Sequence, residues 1–326
     1  MEASIYKIKV TLILLFIFIS SIQLYSQIES ETTLFMNNPI HLNPAFTGTN
    51  NELAFEIITK QQWIDVKNSP ATYMLNIESP INDSKTSIGA SLISDWAGPL
   101  NNNRILLSYS AIFKLNHAIL LSLGLNAGAD NYNIFFDKIN LVEQEDPAFS
   151  NKTESMYQPN VGAGIYLYGA SGYIGASVLN MLKSSELKWL NTSLQDETQN
   201  ILVTGGMDGY ISHNSKIKIS ALAEFMQRRN IYSFAAELIN DDYFNIGGTY
   251  KLNHSASLVA GIPISEYISI NYSYSFPVGA TALKLFNTQE LSIKFSTDMF
   301  YYSNSKREFT RKAQKHESSL KSIRYF

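Results

Sequence analysis

The chain has 326 residues, a formal net charge of −3 and no cysteine. That balance leaves no global basic field for nucleic acid, and the missing thiols exclude disulfides, thiolate nucleophiles and cysteine-ligated metals. Charged residues make up 16% of the chain and aromatics 12%, with 19 Tyr and 18 Phe. A soluble domain carries about 25% charge, so the deficit and the aromatic surplus together point to a surface that meets lipid.

At the N-terminus, Lys7 and Lys9 precede an apolar run over 10–19, and Ser26 before Gln27 offers a small-residue cleavage site. Residues 1–26 are expected to be a cleaved Sec signal peptide. The competing reading is an uncleaved anchor, which Ser20, Ser21 and Gln23 weaken by interrupting the run. No later stretch has about 18 consecutive apolar residues, so a membrane-embedded mature chain has to cross with strands. Residues 27–51 are expected to be a periplasmic N-terminal segment. Within them Asn43-Pro44 favours an extended or turn conformation, and Gly48 permits a positive φ.

From 52 to 298 the chain breaks into about fourteen segments with two-residue alternation. They run at about 52–63, 71–79, 85–95, 104–115, 118–130, 158–168, 171–178, 199–210, 215–225, 230–239, 242–252, 255–263, 266–276 and 288–298. Trp63 is expected at the membrane interface near the end of the first, and Pro70 at the start of the second. In 104–115, Ile105, Leu107, Tyr109, Phe113 and Leu115 share one face, with Arg104, Ser108, Ser110 and Lys114 opposite. In 266–276, Ile268, Ile270, Tyr272, Tyr274 and Phe276 alternate with Ser269, Asn271, Ser273 and Ser275. The opposing faces are rich in Ser, Asn, Gly and Thr, whereas a soluble sandwich would show many lysines and glutamates there. Connections after even-numbered segments are all short, and the long ones, 131–157, 179–198 and 277–287, follow odd-numbered segments, as in an up-and-down membrane barrel. The fold expected is all-β: a single-domain transmembrane antiparallel β-barrel of about fourteen strands. The apolar row of each strand should face lipid and the polar row the lumen. A barrel of this size has a lumen wider than side chains fill.

Residues 299–326 form a basic tail, expected on the periplasmic side. It reads as a solvated end or as an arm for anionic headgroups or a partner. His41, His117, His213, His254 and His316 are scattered and suggest no metal site. Gly162 and Gly164 read as small residues on one strand face rather than a phosphate loop. Glu143, Glu145 and Asp146 crowd the longest loop and read as solvated. No cofactor and no catalytic constellation is expected.

The blocks "NPAFTGT", "KQQW", "NSPATYMLNIESPI" and "SIGASLISDWAGP", followed by "GLNAGADNYN", "DPAFS", "YQPNVGAGIYLY" and "TQELSIKF", resemble the PorP/SprF family of type IX secretion system outer-membrane proteins. The chain departs from the family pattern in Phe46 and Thr47 and in its basic tail. The resemblance implies a non-enzymatic outer-membrane barrel that serves protein secretion and, in some systems, gliding motility. Its partners would be outer-membrane lipid, secretion components and the C-terminal domains of secreted cargo or adhesins. Asn43, Pro44, Ala45, Gly48, Gln62, Trp63, Pro70, Gly98 and Pro99 fall in the motif blocks, where the resemblance implies roles in folding or docking. The alternative is a passive outer-membrane pore or hydrophobic-substrate channel, tuned by inward Arg104, Lys114 and Asp130.

Overall fold

The computed structural model describes residues 32–37, 39–64, 66–81, 85–136, 153–182, 199–212, 214–226, 230–240, 243–265, 267–278 and 287–297. The signal peptide, the acidic loop residues Glu143, Glu145 and Asp146, His213, His316 and the basic tail lie outside them. Fourteen strands are formed by the described residues: β1 (Leu53–Gln62), β2 (Ala71–Pro80), β3 (Thr86–Ala97), β4 (Leu100–Lys114), β5 (Ile119–Phe135), β6 (Thr153–Gly169), β7 (Gly172–Leu179), β8 (Asn200–Tyr210), β9 (Ser215–Phe225), β10 (Asn230–Asn240), β11 (Phe244–Lys251), β12 (Ser255–Pro263), β13 (Ile268–Pro277) and β14 (Thr288–Thr297). Each pairs antiparallel with its sequence neighbours, and β14 closes on β1. Closure leaves no sheet edge through the wall, which a hydrocarbon environment requires.

The burial profile is inverted relative to a soluble domain. Ser110, Ser122, Ser273 and Ser292 are fully buried, while Leu107, Leu125 and Leu258 are more than 60% exposed. Along β13, Asn271, Ser273 and Ser275 are buried and Tyr272 and Phe276 exposed, so the polar row turns inward as the alternation predicts. Exposed aromatics gather at both ends of the wall: Phe55 with Phe295 at one, Phe225 with Tyr232 at the other. Such girdles suit the two interfaces.

The wall has two distinct ends. At the turn end even-numbered strands pass to odd ones through short connections; at the loop end the connections after β5, β7 and β13 are long. β4, β5 and β6 reach farther toward the loop end than the sequence suggests, starting at Leu100, running to Phe135 and starting at Thr153 respectively. Asn101, Asn103, Asn131 and Asn133 fall outside the expected strands, yet they pair across β4 and β5. Asn133 Nδ2 on β5 donates to Asn101 Oδ1 on β4 at 3.3 Å, and Ser155 Oγ on β6 to Asn133 Oδ1 at 2.6 Å. These amide ladders satisfy side-chain groups on a ribbon that stands beyond the apolar band. β3 and β4 are joined by Gly98-Pro99 alone, with Gly98 at φ +58.

The second difference concerns residues 27–51, read from sequence as a periplasmic segment ahead of the barrel. Residues 32–37 and 39–50 instead lie inside the lumen, with Thr32, Leu34, Phe35, Met36, Ile40, Leu42, Asn43, Ala45 and Thr47 all buried. The inward faces carry mostly small polar residues, so the wall leaves room for a chain segment that supplies the missing volume.

Candidate functional site

The lumenal segment is held along its whole length. Glu290 of β14 accepts from Thr32 Oγ1 at 2.6 Å, Thr33 N at 2.9 Å and Leu34 N at 3.3 Å. Glu290 is the third residue of β14, a strand that starts at the loop end, so Thr32 lies in the loop half of the lumen. Next, Phe35, Met36 and Leu42 pack on Leu202, Leu222 and Ala235 of the wall, an apolar cluster inside a polar lumen. Burying each large side chain here contributes about 1.5–3 kcal/mol. Lys218 Nζ donates to Met36 O at 2.8 Å. The chain ends its descent at Gly48, whose N–H donates to Glu78 Oε2 at 2.7 Å near the turn end of β2. Strand parity puts the start of β1 and the end of β14 at this same turn end, so the segment leads down through the barrel into β1.

Four of the motif residues form the tightest part of this seat. Asn43 caps a 3-10 turn over Pro44–Phe46: its Oδ1 accepts from Ala45 N at 2.9 Å, and proline suits the first turn position. The same side chain reaches the wall, where Asn43 Nδ2 donates to Ile165 O at 3.1 Å. The wall makes room with glycine. Gly124 and Gly164 face each other across β5 and β6, and a Cβ would collide with Pro44 and Ala45 at the first and with Asn43 at the second. Ser177 Oγ and Ser110 Oγ donate to Leu42 O and Thr47 O on either side. Gly48 has φ +69, and a side chain there would strike Ser87.

The other five motif residues meet at the loop end. Gln62 N donates to Pro70 O at 2.9 Å, closing the connection that holds Trp63, which sits at a positive φ of 50. Gly98 N donates to Asn68 O at 3.2 Å, and Phe135 N to Pro99 O at 2.9 Å, tying this connection to the β3–β4 turn and to β5. The nine residues thus divide into a lumenal seat and a rim brace. Sequence reasoning missed the wall's half of the seat: Glu290, Gly124, Ser110, Ser177 and Lys218. The available signal was small residues at inward parity on adjacent strands, which Gly162 and Gly164 already displayed.

Of the charges expected in the lumen, Arg104 and Asp130 pair at 2.5 Å, and Asn160 Nδ2 donates to Asp130 Oδ2 at 2.8 Å. Lys114 lies exposed where β4 ends. A cavity of about 450 Å³ remains between the lumenal segment and the wall, reaching Gly169, Gly172 and Pro263 at the turn end. Tyr166, Tyr168 and Tyr173 form one side, with ring centroids 5.3 to 5.4 Å apart. Asp208, Lys218 and Glu237 lie along it as well. Among the described residues, no group of three or more His, Asp or Glu is placed to hold a metal ion.

Several solved outer-membrane proteins are similar in structure. A FadL homologue from Pseudomonas aeruginosa aligns over 79% of this chain and 93% of its own, at 12% identity and a TM-score of 0.49. The monoaromatic hydrocarbon channel CymD aligns over 84% and 95%, at 13% and 0.47. Omp33 of Acinetobacter baumannii aligns over 76% and 99%, at 12% and 0.42. Among curated proteins none matches the chain. The family described as "Type IX secretion system membrane protein PorP/SprF" matches residues 25–295, which take in the lumenal segment and all but the last two residues of β14. The closed fourteen-stranded wall, its inverted burial and this match make the chain a member of the PorP/SprF family, an outer-membrane β-barrel component of the type IX secretion system.

Proposed function

We propose that this protein is a plugged docking partner in type IX secretion, one that supports secretion of cargo or its retention at the cell surface, including adhesins of gliding cells, without any chemical step. The observation that carries the reading is the seat of residues 32–50. Polar bonds to β2, β4, β6, β7, β9 and β14 and an apolar cluster fill the lumen that a passive pore needs open. In this reading the turn end and the basic tail face the periplasm, the loop end faces outward, and residues 1–26 are removed on export. Partners are secretion components and the C-terminal domains of cargo, gripped through polar, aromatic-rich surfaces.

Deletion of the gene is expected to abolish secretion or surface display of cargo, followed by immunoblotting of cells and medium. Normal display in the deletion strain would overturn the reading. A second reading, a channel for small or hydrophobic solutes, is favoured by the 450 Å³ cavity. Planar-bilayer recording separates the two: the plugged barrel is expected to be silent, and a large steady conductance would favour the channel.

A further inference from the structure

The 450 Å³ cavity at the turn end has two walls of different chemistry, and both are seated on glycine. On one wall Tyr166, Tyr168 and Tyr173 lie with ring centroids 5.3 to 5.4 Å apart. The Tyr166 ring crosses Gly175 and the Tyr173 ring crosses Gly206, where a Cβ would come within 2.8 and 2.6 Å of ring carbons. Tyr173 Oη donates to Ser220 Oγ at 2.9 Å, which fixes this ring at its far end. On the other wall Asn245 Nδ2 donates to Asn271 Oδ1 at 3.1 Å. The two carboxamides meet over Gly261 of β12, the strand between theirs, where a Cβ would strike both. Three strand positions without a side chain thus hold an aromatic wall and an amide wall in place, as a pre-formed ligand site requires.

Among the described residues the charges that line the cavity are Asp208, Lys218, Glu237 and Lys294, two of each sign. Lys218 stands directly across from Asp208 on β8 and from Glu237 on β10, so the charges compensate one another within the wall. A cavity of this kind has no net charge with which to draw an ion of either sign. An apolar solute fits no better, because it would take water from Asn245, Ser269 and Asn271 and return no hydrogen bond. A neutral polyhydroxylated ring meets both conditions: its hydroxyls donate and accept toward amides and carboxylates, and its C–H face packs on tyrosine. Two buried atoms on lining residues call for such a partner. Tyr168 Oη and Glu237 Oε2, the latter on a residue 3% exposed, have no hydrogen-bond partner among the described residues. Buried groups like these are normally met by water or by a ligand.

We infer that this cavity is a saccharide-binding pocket, entered from the turn end, that takes a neutral sugar of one or two pyranose rings. The tyrosine wall packs on the C–H face of a ring, while Glu237, Asn245 and Asn271 bond its hydroxyls. The volume falls within the range of about 300–1,000 Å³ typical of small-ligand pockets. Met36 and Phe46 of the lumenal segment line the inner side, with Phe46 edge-on to Tyr166 at 5.5 Å, so the sugar is held and not passed through. The pocket needs neither an open lumen nor the docking partner proposed above.

The full-length protein, purified in the sugar-free detergent lauryldimethylamine oxide, is to be tested by saturation-transfer NMR with glucose, N-acetylglucosamine, cellobiose and chitobiose at millimolar concentration. At least one of the four is expected to receive saturation, strongest at the C–H protons of one ring face. Tyr168→Leu, which removes the ring, is expected to weaken its binding about tenfold or more. Tyr168→Phe, which removes only the hydroxyl and keeps the shape, is expected to weaken it severalfold. Phe234→Leu on the lipid face should leave it unchanged, and all three variants should keep heat-modifiable gel mobility. Glucuronate, glucosamine and toluene are expected to bind more weakly than the preferred neutral sugar. Absence of transfer from all four sugars, unchanged affinity in Tyr168→Phe and Tyr168→Leu, or tighter binding of a charged or apolar comparator would overturn the inference. Binding that emerges only after removal of residues 299–326 would also overturn it, since the chain's own tail would then be the occupant.

Discussion

Glu290 shows how a single buried acid organises a chain segment. Its carboxylate is 1% exposed and gathers a hydroxyl and two amides from Thr32, Thr33 and Leu34, which no other strand supplies to these three groups among the described residues. A charged acceptor at this position makes each bond stronger than a neutral one. Glu290→Gln keeps the shape, removes the charge and turns one acceptor atom into a donor facing a donor. The expected cost to the seat is about 1–3 kcal/mol. It should be read as faster hydrogen exchange at Thr33 and Leu34, with the amides of β13 unchanged. Equal exchange at all these positions would mean that the apolar cluster alone seats the segment. The asparagine at position 43 works differently, as a cap and a wall contact in one side chain, and the glycines opposite it admit the backbone because they lack a Cβ.

At the scale of elements, the lumenal segment belongs to neither helix nor sheet. Apart from the 3-10 turn over Pro44–Phe46, its backbone groups are met by isolated turns such as Leu42 N to Pro39 O and by inward wall side chains. Deleting residues 32–50 removes no ladder bond from the barrel, so the wall is expected to keep its heat-modifiable mobility while the lumen opens. Bilayer recordings should then change from silent to conducting. A deletion variant that folds and stays silent would mean that the loops, and not this segment, close the barrel. The strands themselves were legible residue by residue, with most ends within two positions of the expected ones. The upper parts of β4 and β5 were not, because asparagine signals a turn when read singly. Only the cross-strand neighbours show that the amides bond each other.

For the whole molecule, the determining fact is which face is wet. Along the lipid band the outward rows are apolar, and inward residues such as Ser110, Ser177, Lys218 and Asn271 meet the lumenal segment or the cavity. Ile270 and Asn271 are adjacent, and Asn271 lines the cavity while Ile270 belongs to the outward row. Since the chain has no native cysteine, single-cysteine variants report cleanly. Asn271→Cys is expected to react with a water-soluble maleimide in intact membranes, and Ile270→Cys to stay unreactive. The opposite pattern would reverse the assignment of the two faces. The nine motif residues fall into two groups, one on the lumenal segment and the other at the loop rim.

The sequence by itself pointed to a barrel of about fourteen strands, the sense of its two faces and the family. Each of these depends on period-two patterning, turn chemistry and ordered motif blocks, which are local properties of the chain. Only the tertiary structure decided that residues 32–37 and 39–50 fill the lumen and that β6 outruns β7. The apolar residues Leu34, Phe35, Met36, Ile40 and Leu42 follow no regular period, so nothing local distinguishes a plug from a linker. Their partners on β8, β9 and β10 lie more than 150 residues away, and burial against a distant wall is a property of the closed barrel alone.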